Sequence, residues 1–319
     1  MLIVRDLQDP LLKTPTVLTF GVYDGLHCGH QLIMRKVVER ARAKGWVATV
    51  LTFDPHPRAV LHPESAPPLL QTLEQKQRAM KEMGIEQLVL IPFTNALSKV
   101  SAEDFLDQTI FDRLDAREVY VGRGFAFGHN RGGHFDLLKQ TANRLGRTAE
   151  EVSEVSLHGR RISSTMIRRL LASGRVNLAR RMLGRPYEIE GYVEEGRRIG
   201  KTKLNYPTAN LKPSGFVTPA TGVYVTFARI GDTLWPSVTN VGRRPTFGGD
   251  QEISIESHIF DFNRDIYGER LSIGFLHRLR GEVKFESIDA LRSQIERDAR
   301  RAQVYFHKQP VLANLSELE

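Results

Sequence analysis

Two histidines three residues apart, His27 and His30, stand in a glycine-rich segment, Gly21-Val-Tyr-Asp-Gly-Leu-His-Cys-Gly-His30. Gly21, Gly25 and Gly29 let backbone amides come close to a phosphate, and a helix starting there adds the positive end of its dipole. Imidazole N–H groups at that spacing can reach the oxygens of a reacting phosphate, with Asp24 inside the same loop. A metal pair with Cys28 and incidental surface histidines are the rival readings. Zinc needs three or four ligands, and the next histidine is as far along as His56. A second polar group follows in Arg161-Ile-Ser-Ser-Thr-Met-Ile-Arg168. Ser163 and Ser164 could simply cap the helix after them; with Thr165 and Arg168 they could also hold phosphate oxygens. Further on, Pro207-Thr-Ala-Asn210 taken alone is a turn into a strand, and Glu256 taken alone is a solvent-facing carboxylate.

The elements that must position these residues follow two different grammars. In the first half, short apolar runs at Val17–Phe20, Ala48–Phe53, Leu88–Ile91 and Val119–Val121 predict strands. Between them, helical spacing runs over Gln31–Lys44 (Ile33, Val37 and Ala41 on one stripe), Leu73–Met83 and Ala102–Leu114. Ser101 with Asp104 is a loose capping box with the shorter acid. Strands separated by helices of this length predict βαβ units and a parallel sheet, with ligands beyond the carboxyl ends of the strands. The unusual loops stand there: Gly21 to His30, Asp54 to Pro57 and Gly122 to Gly133. Two short helical stretches, Ser164–Ala172 and Val176–Leu183, precede a change of pattern at Arg185-Pro186. Beyond it, alternating runs such as Gly222–Phe227, Ile253–Ile259 and Leu271–Phe275 predict a small antiparallel barrel or sandwich. A helix over Ser287–Phe306, with Ile288, Leu291, Ile295, Ala299 and Ala302 at helical spacing, is expected to pack against it.

With 319 residues, 41% hydrophobic and 26% charged, the chain is long enough for two domains, and each half can bury a core. The boundary is expected near Arg185, giving domains 1–185 and 186–319. One cysteine, Cys28, excludes an intrachain disulfide and any cysteine-cluster metal site. The opening residues carry no leader pattern, and no apolar run reaches the roughly 18 residues that mark a candidate membrane span, so a cytoplasmic protein is expected. The net charge of +8 favours polyanions, nucleic acid or phosphorylated small molecules. Eight arginines and no acid fall between Arg160 and Arg185. A solvated helical face is one reading of them, and an RNA-binding patch lacks the interleaved aromatics that stack on bases, so nucleic acid is not the expected partner.

Taken together, the motifs resemble known enzymes. The His27/His30 loop with Ile162-Ser-Ser-Thr165 is similar to the signature of the nucleotidyltransferases, which attack the α-phosphate of ATP and release pyrophosphate. Thr52-Phe-Asp-Pro-His-Pro57 and Val121-Gly-Arg-Gly-Phe-Ala-Phe-Gly128 narrow the resemblance to the FMN adenylyltransferase half of bacterial bifunctional riboflavin kinase/FAD synthetases. Pro207–Asn210, Asn240-Val-Gly-Arg-Arg-Pro-Thr246, Glu256-Ser-His258 and Asp265-Ile-Tyr-Gly268 resemble the riboflavin kinase module, in order.

The resemblance implies a parallel-sheet, Rossmann-like nucleotidyltransferase domain followed by a six-stranded β-barrel kinase domain with a C-terminal helix. It implies FMN from riboflavin and ATP, then FAD from FMN and ATP. Glu256 maps onto the family's base, and Thr208 and Asn210 onto oxygens that bind ATP and Mg²⁺. His27, His30, Gly21, Asp24, Gly25, Gly29, Ser163, Ser164, Thr165 and Arg168 map onto the ATP phosphate site of the first half. Asp54, His56, Gly122, Phe125, Phe127, Gly128 and Arg244 map onto flavin contacts. The chain departs from the family in three places: Gly124 stands where Asp or Asn is usual, Asn205 where glycine is usual (the nearest glycine being Gly200), and Met166 where arginine is common. These departures leave two rival expectations, an enzyme with one activity only and a basic RNA- or flavin-binding regulator with relic sites. The oligomeric state is not legible in the sequence.

Overall fold

The computed structural model describes residues 1–194, 206–212, 215–245, 251–309 and 312. The chain divides into two compact units, Met1–Pro68 with Leu73–Ser163, and Leu69–Thr72 with Ser164–Glu319.

The first unit is built on strands β1 (Leu2–Val4), β2 (Thr16–Phe20), β3 (Val47–Asp54), β4 (Gln87–Pro92), β5 (Ala116–Gly122) and β6 (Thr148–Val152). They form one sheet in the order β1-β4-β3-β2-β5-β6, every neighbour parallel. β2 is buried along its whole length, as strands covered by helices on both faces must be. Leu18 and Phe20 point into one apolar layer with Phe105, Leu106, Ile110 and Leu138. Val17 points into the other, with Met34, Val37, Val50, Met80 and Leu88. The chain runs β2, β3, β4 to one side and then returns to the other side of β2 for β5, so the order reverses beside β2. In open parallel sheets ligands bind at such a reversal, beyond the carboxyl ends of the strands.

Helix α1 (Cys28–Lys44) starts three residues before the predicted Gln31, because His27 caps it and supplies an acceptor to the amide of His30. It ends at Gly45 in the left-handed region, φ 67°. Helix α2 spans Leu73–Glu82. The predicted helix Ala102–Leu114 is an α-turn, α3 (Ala102–Asp104), running into a π-helix over Phe105–Arg113. At its end the amide of Leu114 donates to the carbonyl of Thr109, five residues back. Ser101 Oγ accepts from the Asp104 amide at 3.0 Å and lies 2.7 Å from Asp104 Oδ2. The Asp side chain thus meets the hydroxyl instead of the Ser101 amide, since it is one methylene shorter than the glutamate of a full capping box. Helix α4 (Phe135–Arg144) and the edge strand β6 are elements that the sequence pattern did not expose.

The second unit opens with α5 (Ser164–Ala172) and α6 (Val176–Leu183). Val176, Ala179, Met182 and Leu183 of α6 are buried, and α6 packs on strands β7 (Tyr187–Glu194) and β12 (Arg270–Arg280). The change of pattern at Arg185 therefore lies inside this compact unit. With β8 (Ala209–Leu211), β9 (Gly222–Ile230), β10 (Thr233–Pro245) and β11 (Gln251–Ile259), these strands close a barrel in the order β7-β8-β11-β10-β9-β12. All its pairings are antiparallel.

Tyr187, Tyr224, Phe275, Ile255 and Ile273 are buried, and so is a run of four hydroxyls. Thr226 Oγ1 lies 2.8 Å from Ser237 Oγ and 2.6 Å from Thr239 Oγ1, and Thr239 Oγ1 donates to Ser257 Oγ at 2.9 Å. The C-terminal helix α7 (Ile288–Lys308) is capped by Ser287, whose Oγ accepts from the Ala290 amide at 3.1 Å. Ala299 and Ala302 seat it on Val223, Val225, Phe227, Val238, Phe260 and Leu276. Contrary to expectation Ile288 is 54% exposed. The buried helix face includes Asp298 instead, whose carboxylate takes Arg280 Nε at 2.8 Å.

On β12, Gly274 lies directly opposite Phe227 of β9. A Cβ at Gly274 would come within 2.1 Å of the Phe227 ring, so the aromatic ring occupies the space a side chain would fill. Gly274→Ala is expected to destabilise the barrel by about 1–3 kcal/mol, the usual cost of overpacking. The measurement is the urea unfolding midpoint, with Gly191→Ala as comparison, since a Cβ there would meet only Leu211, at an ordinary 3.5 Å.

Candidate active sites

The first site begins where β2 ends. Tyr23, Gly25 and Leu26 all have positive φ, 51°, 86° and 40°, so the loop turns sharply before α1. Tyr23 anchors it from below, its hydroxyl 2.5 Å from Thr19 Oγ1 and raised in pKa by burial. His27 Nδ1 accepts from the His30 amide at 3.3 Å. The rings of His27 and His30 stack 3.6 Å apart at 18°, and His30 meets the edge of Tyr23 at 5.1 Å. A Cβ at Gly29 would stand 3.2 Å from the His27 ring, so glycine there lets the imidazole lie across the first turn of the helix. Asp24 is buried. Gly21 sits under the Tyr23 ring, which a Cβ would approach to 3.2 Å.

Two loops flank this one. Asp54 is exposed at the end of β3, and His56 caps the short helix Pro57–Leu61, its Nδ1 accepting from the Arg58 amide at 3.1 Å. After β5, Gly122 lies against Ile33 and Gly128 against Ala102, which a Cβ would approach to 2.7 Å. Phe125 and Phe127 stack 5.6 Å apart and both meet Phe20 edge-on, at 4.9 and 5.3 Å. Phe127 belongs to the core, while Phe125 is partly exposed. Gly124 has φ 71°, and a Cβ would find only Arg161 Nη2, at 3.9 Å. The Gly124 loop is tied by its own amide to Glu151 at 3.2 Å, and by Arg161, which donates to the Arg123 carbonyl at 3.1 Å and pairs with Glu154. Ser163 closes the first unit, and Ser164, Thr165 and Arg168 open the second on α5.

One residue with no signal in its spacing joins this site. Lys76 on α2 is buried, and its Nζ donates at 3.0 Å to the carbonyl of Val22, which also accepts from Thr52 Oγ1 at 3.1 Å. Burial lowers its pKa, against the pull of Asp24 and Asp54. It occupies a position of the buried helical stripe with Met80, where the pattern called for an apolar residue.

The second site lies on the barrel. Asn210 of β8, Glu256 of β11 and Asn240 of β10 face one another directly across three strands. Their sequence neighbours Ala209, Leu211, Ile255, Ser257, Thr239 and Val241 are buried. By the alternation of strands the Asn–Glu–Asn row therefore stands on the opposite face, half-buried. Asn210 Nδ2 donates to the Thr208 carbonyl at 3.3 Å. Asn240 carries no functional signal in its motif, and register alone brings it beside Glu256. Arg244 lies on β10 opposite Glu252; its side chain, like Asn205 and Gly200, lies outside the described residues. Among the described residues no group of three or more His, Cys, Asp or Glu could hold a metal. The donors beside Glu256 are instead the hard oxygens of Thr208 and Asn210, which suit a cation that keeps water and phosphate oxygens as its other ligands.

Residues 10–166 match the family described as FAD synthetase, and residues 183–306 the family described as riboflavin kinase. The bifunctional riboflavin kinase/FMN adenylyltransferase of Pseudomonas fluorescens is 38% identical over 286 residues, covering 90% of this chain and 91% of the relative. Its namesake in Haemophilus influenzae is 34% identical over 291 residues, covering 91% and 94%. That of Bacillus subtilis is 34% identical over 299 residues, covering 92% and 93%. A crystal structure described as a macrolide-efflux protein from Streptococcus pneumoniae superimposes with a TM-score of 0.84 at 31% identity, covering 95% of this chain and 98% of its own. Among the described residues of the present chain no helix is long and apolar enough to cross a membrane.

The lowered pKa of Lys76 makes stability depend on pH in a definite sense. Between its folded value and the ordinary 10.5, the unfolded chain binds the proton more tightly, so this site's contribution rises with pH across that window. Urea midpoints of the wild type and Lys76→Met, compared at neutral pH and near pH ~10, should show the gap moving in favour of the wild type. A gap that stays constant or moves the other way would return Lys76 to ordinary proton affinity.

Proposed function

The chain belongs to the family of bifunctional riboflavin kinase/FMN adenylyltransferases, and from that premise we infer how its residues divide the two reactions. The enzyme phosphorylates riboflavin with ATP, giving FMN and ADP, and then joins FMN to the adenylyl group of ATP, giving FAD and pyrophosphate. The single-activity reading and the relic-site regulator rest only on the departures at Gly124, Asn205 and Met166, whereas both family matches and the bifunctional relatives support two activities.

The observation that carries the kinase assignment is the Asn210–Glu256–Asn240 row. The ribityl 5′-hydroxyl must lose a proton as it attacks the γ-phosphate, and Glu256 is the carboxylate placed to take it. Asn210 and Asn240 flank it in register on the neighbouring strands and add no charge. ATP chemistry of both kinds uses a divalent cation, and we propose Mg²⁺, held by Thr208 and Asn210. When bound it offsets charge on the ATP phosphates. Arg244 is assigned to the flavin.

For the adenylyl transfer, the FMN phosphate is already an anion, so positioning and charge stabilisation replace base catalysis. His27 Nδ1 accepts a hydrogen bond, so the proton of the neutral ring sits on Nε2. That N–H, with His30, is assigned to the ATP phosphates. Gly21, Asp24, Gly25 and Gly29 shape the loop, and Ser163, Ser164, Thr165 and Arg168 complete the phosphate ligands. Asp54, His56, Gly122, Phe125, Phe127 and Gly128 are assigned to FMN. The vacant space at Gly124 is compatible with activity, since Arg161 stands beside it. In functional terms we assign 1–185 to adenylyl transfer and 186–319 to the kinase, and we place the enzyme in the cytoplasm.

Chromatography of flavins after incubation with ATP and Mg²⁺ tests the division. Glu256→Gln should lower FMN formation from riboflavin by about 10²-fold or more, while conversion of FMN to FAD stays within about twofold of the wild type. His30→Ala should do the reverse. Loss of both activities in either variant, or of neither, would overturn the assignment of that residue.

A further inference from the structure

His258 stands two residues beyond Glu256 on β11 and so shares its face of the barrel. The assigned Thr208 lies just outside the ladder: β8 pairs with β11 from Ala209 opposite Ser257, then Asn210 opposite Glu256. One step back, the register would set Thr208 opposite His258, but the strand stops at Ala209. The preceding residue is Pro207, which has no N–H and cannot extend a ladder. Its carbonyl instead lies 2.8 Å from His258 Nδ1. A carbonyl oxygen only accepts, so Nδ1 carries the proton and donates it, in the neutral ring as in the cation.

The ring is held for this task. Tyr206 meets it at 4.9 Å and 70°, and Phe260 at 5.5 Å and 82°. Phe260 is buried in the layer beneath α7, and Tyr206 packs against the same layer. Val238 pairs with His258 on the other side, inside that layer. Nδ1 is thus engaged with the backbone and not available for proton transfer to substrate.

We propose that His258 is a positioning residue of the kinase. Its side-chain hydrogen bond replaces the strand pairing that Pro207 cannot make, and it fixes Thr208 relative to Glu256 on the neighbouring strand. The proposal rests on the assignment of Thr208 to the metal–ATP complex. It differs from a general packing role because it depends on one donor at one ring position.

Asparagine and glutamine separate the two roles. The Asn side-chain amide falls where Nδ1 stands, and the Gln amide where Nε2 stands. Steady-state kinetics with riboflavin and Mg²⁺–ATP should show His258→Ala losing at least about tenfold in kcat/KM, chiefly through a higher KM for Mg²⁺–ATP. His258→Asn should recover to within about threefold of the wild type and His258→Gln should not. Conversion of FMN to FAD by the same preparations serves as the folding control and should stay within about twofold.

In the Thr208→Val background, His258→Ala should add little, because the two act through one contact. Kinase activity of His258→Ala within twofold of the wild type, or no recovery with Asn, overturns the proposal. If Thr208→Val alone leaves the kinase unchanged, the parent assignment of Thr208 fails, and this inference with it. If Thr208→Val impairs the kinase and His258→Ala does not, only the role of His258 falls.

Discussion

A strand buried on both faces has no room for reactive groups, and that constraint arranges the first unit. Thr16–Phe20 is closed off above and below by apolar layers, so whatever chemistry the chain carries must wait until the strand ends. At that point the sheet order reverses, the backbone enters left-handed conformations, and the next helix begins, capped by His27. The histidines fall where the strand gives way to the helix, with His27 still buried and His30 half-buried. The aromatic cluster of Phe20, Phe125 and Phe127 then forms a rigid floor between the loop after β2 and the loop after β5.

The barrel meets the same constraint differently. Its interior is filled by aromatic and aliphatic side chains and the hydroxyl chain, so polar function is carried on the alternate residues of the same strands. Positive φ and a glycine-relieved helix start set the histidine loop, and strand register sets Glu256. A one-residue slip would exchange Glu256 for Ser257 and remove the site altogether. The Thr226–Ser257 hydroxyls bond across β9, β10 and β11 and so help to hold that register. Specific partners inside the barrel thereby serve a carboxylate on the opposite face.

The legibility of these features in the sequence follows from their physics. His27 and His30 are visible because glycine spacing and a strand-to-helix transition are local. Glu256 and Asn210 are visible only through resemblance to a family, since neither an alternating carboxylate nor a Pro-Thr-Ala-Asn turn is distinctive alone. Asn240 as a neighbour of Glu256 is a property of pairing between β10 and β11, which no local pattern records. Lys76 is hidden for the opposite reason: a charge stands where the helix face demands a methylene surface, and only the Val22 carbonyl and two nearby acids explain it. The missed edge strand Thr148–Val152 pairs on one side only and has little apolar surface to bury. Ile288 fits the helical period yet is exposed, because periodicity reports a face and not how far along the helix the partner extends.

The hydroxyl chain of the barrel has a direction. Thr239 gives its proton to Ser257, so its oxygen must take one from Thr226, whose oxygen in turn takes one from Ser237. No single member can turn around without leaving two donors or two acceptors facing each other, so the sense reverses only if every hydroxyl rotates together. With all four side chains closed off from water, those protons can be replaced only when the strands part. Their deuterium uptake is therefore an internal clock for barrel opening, read from groups closed off inside the barrel.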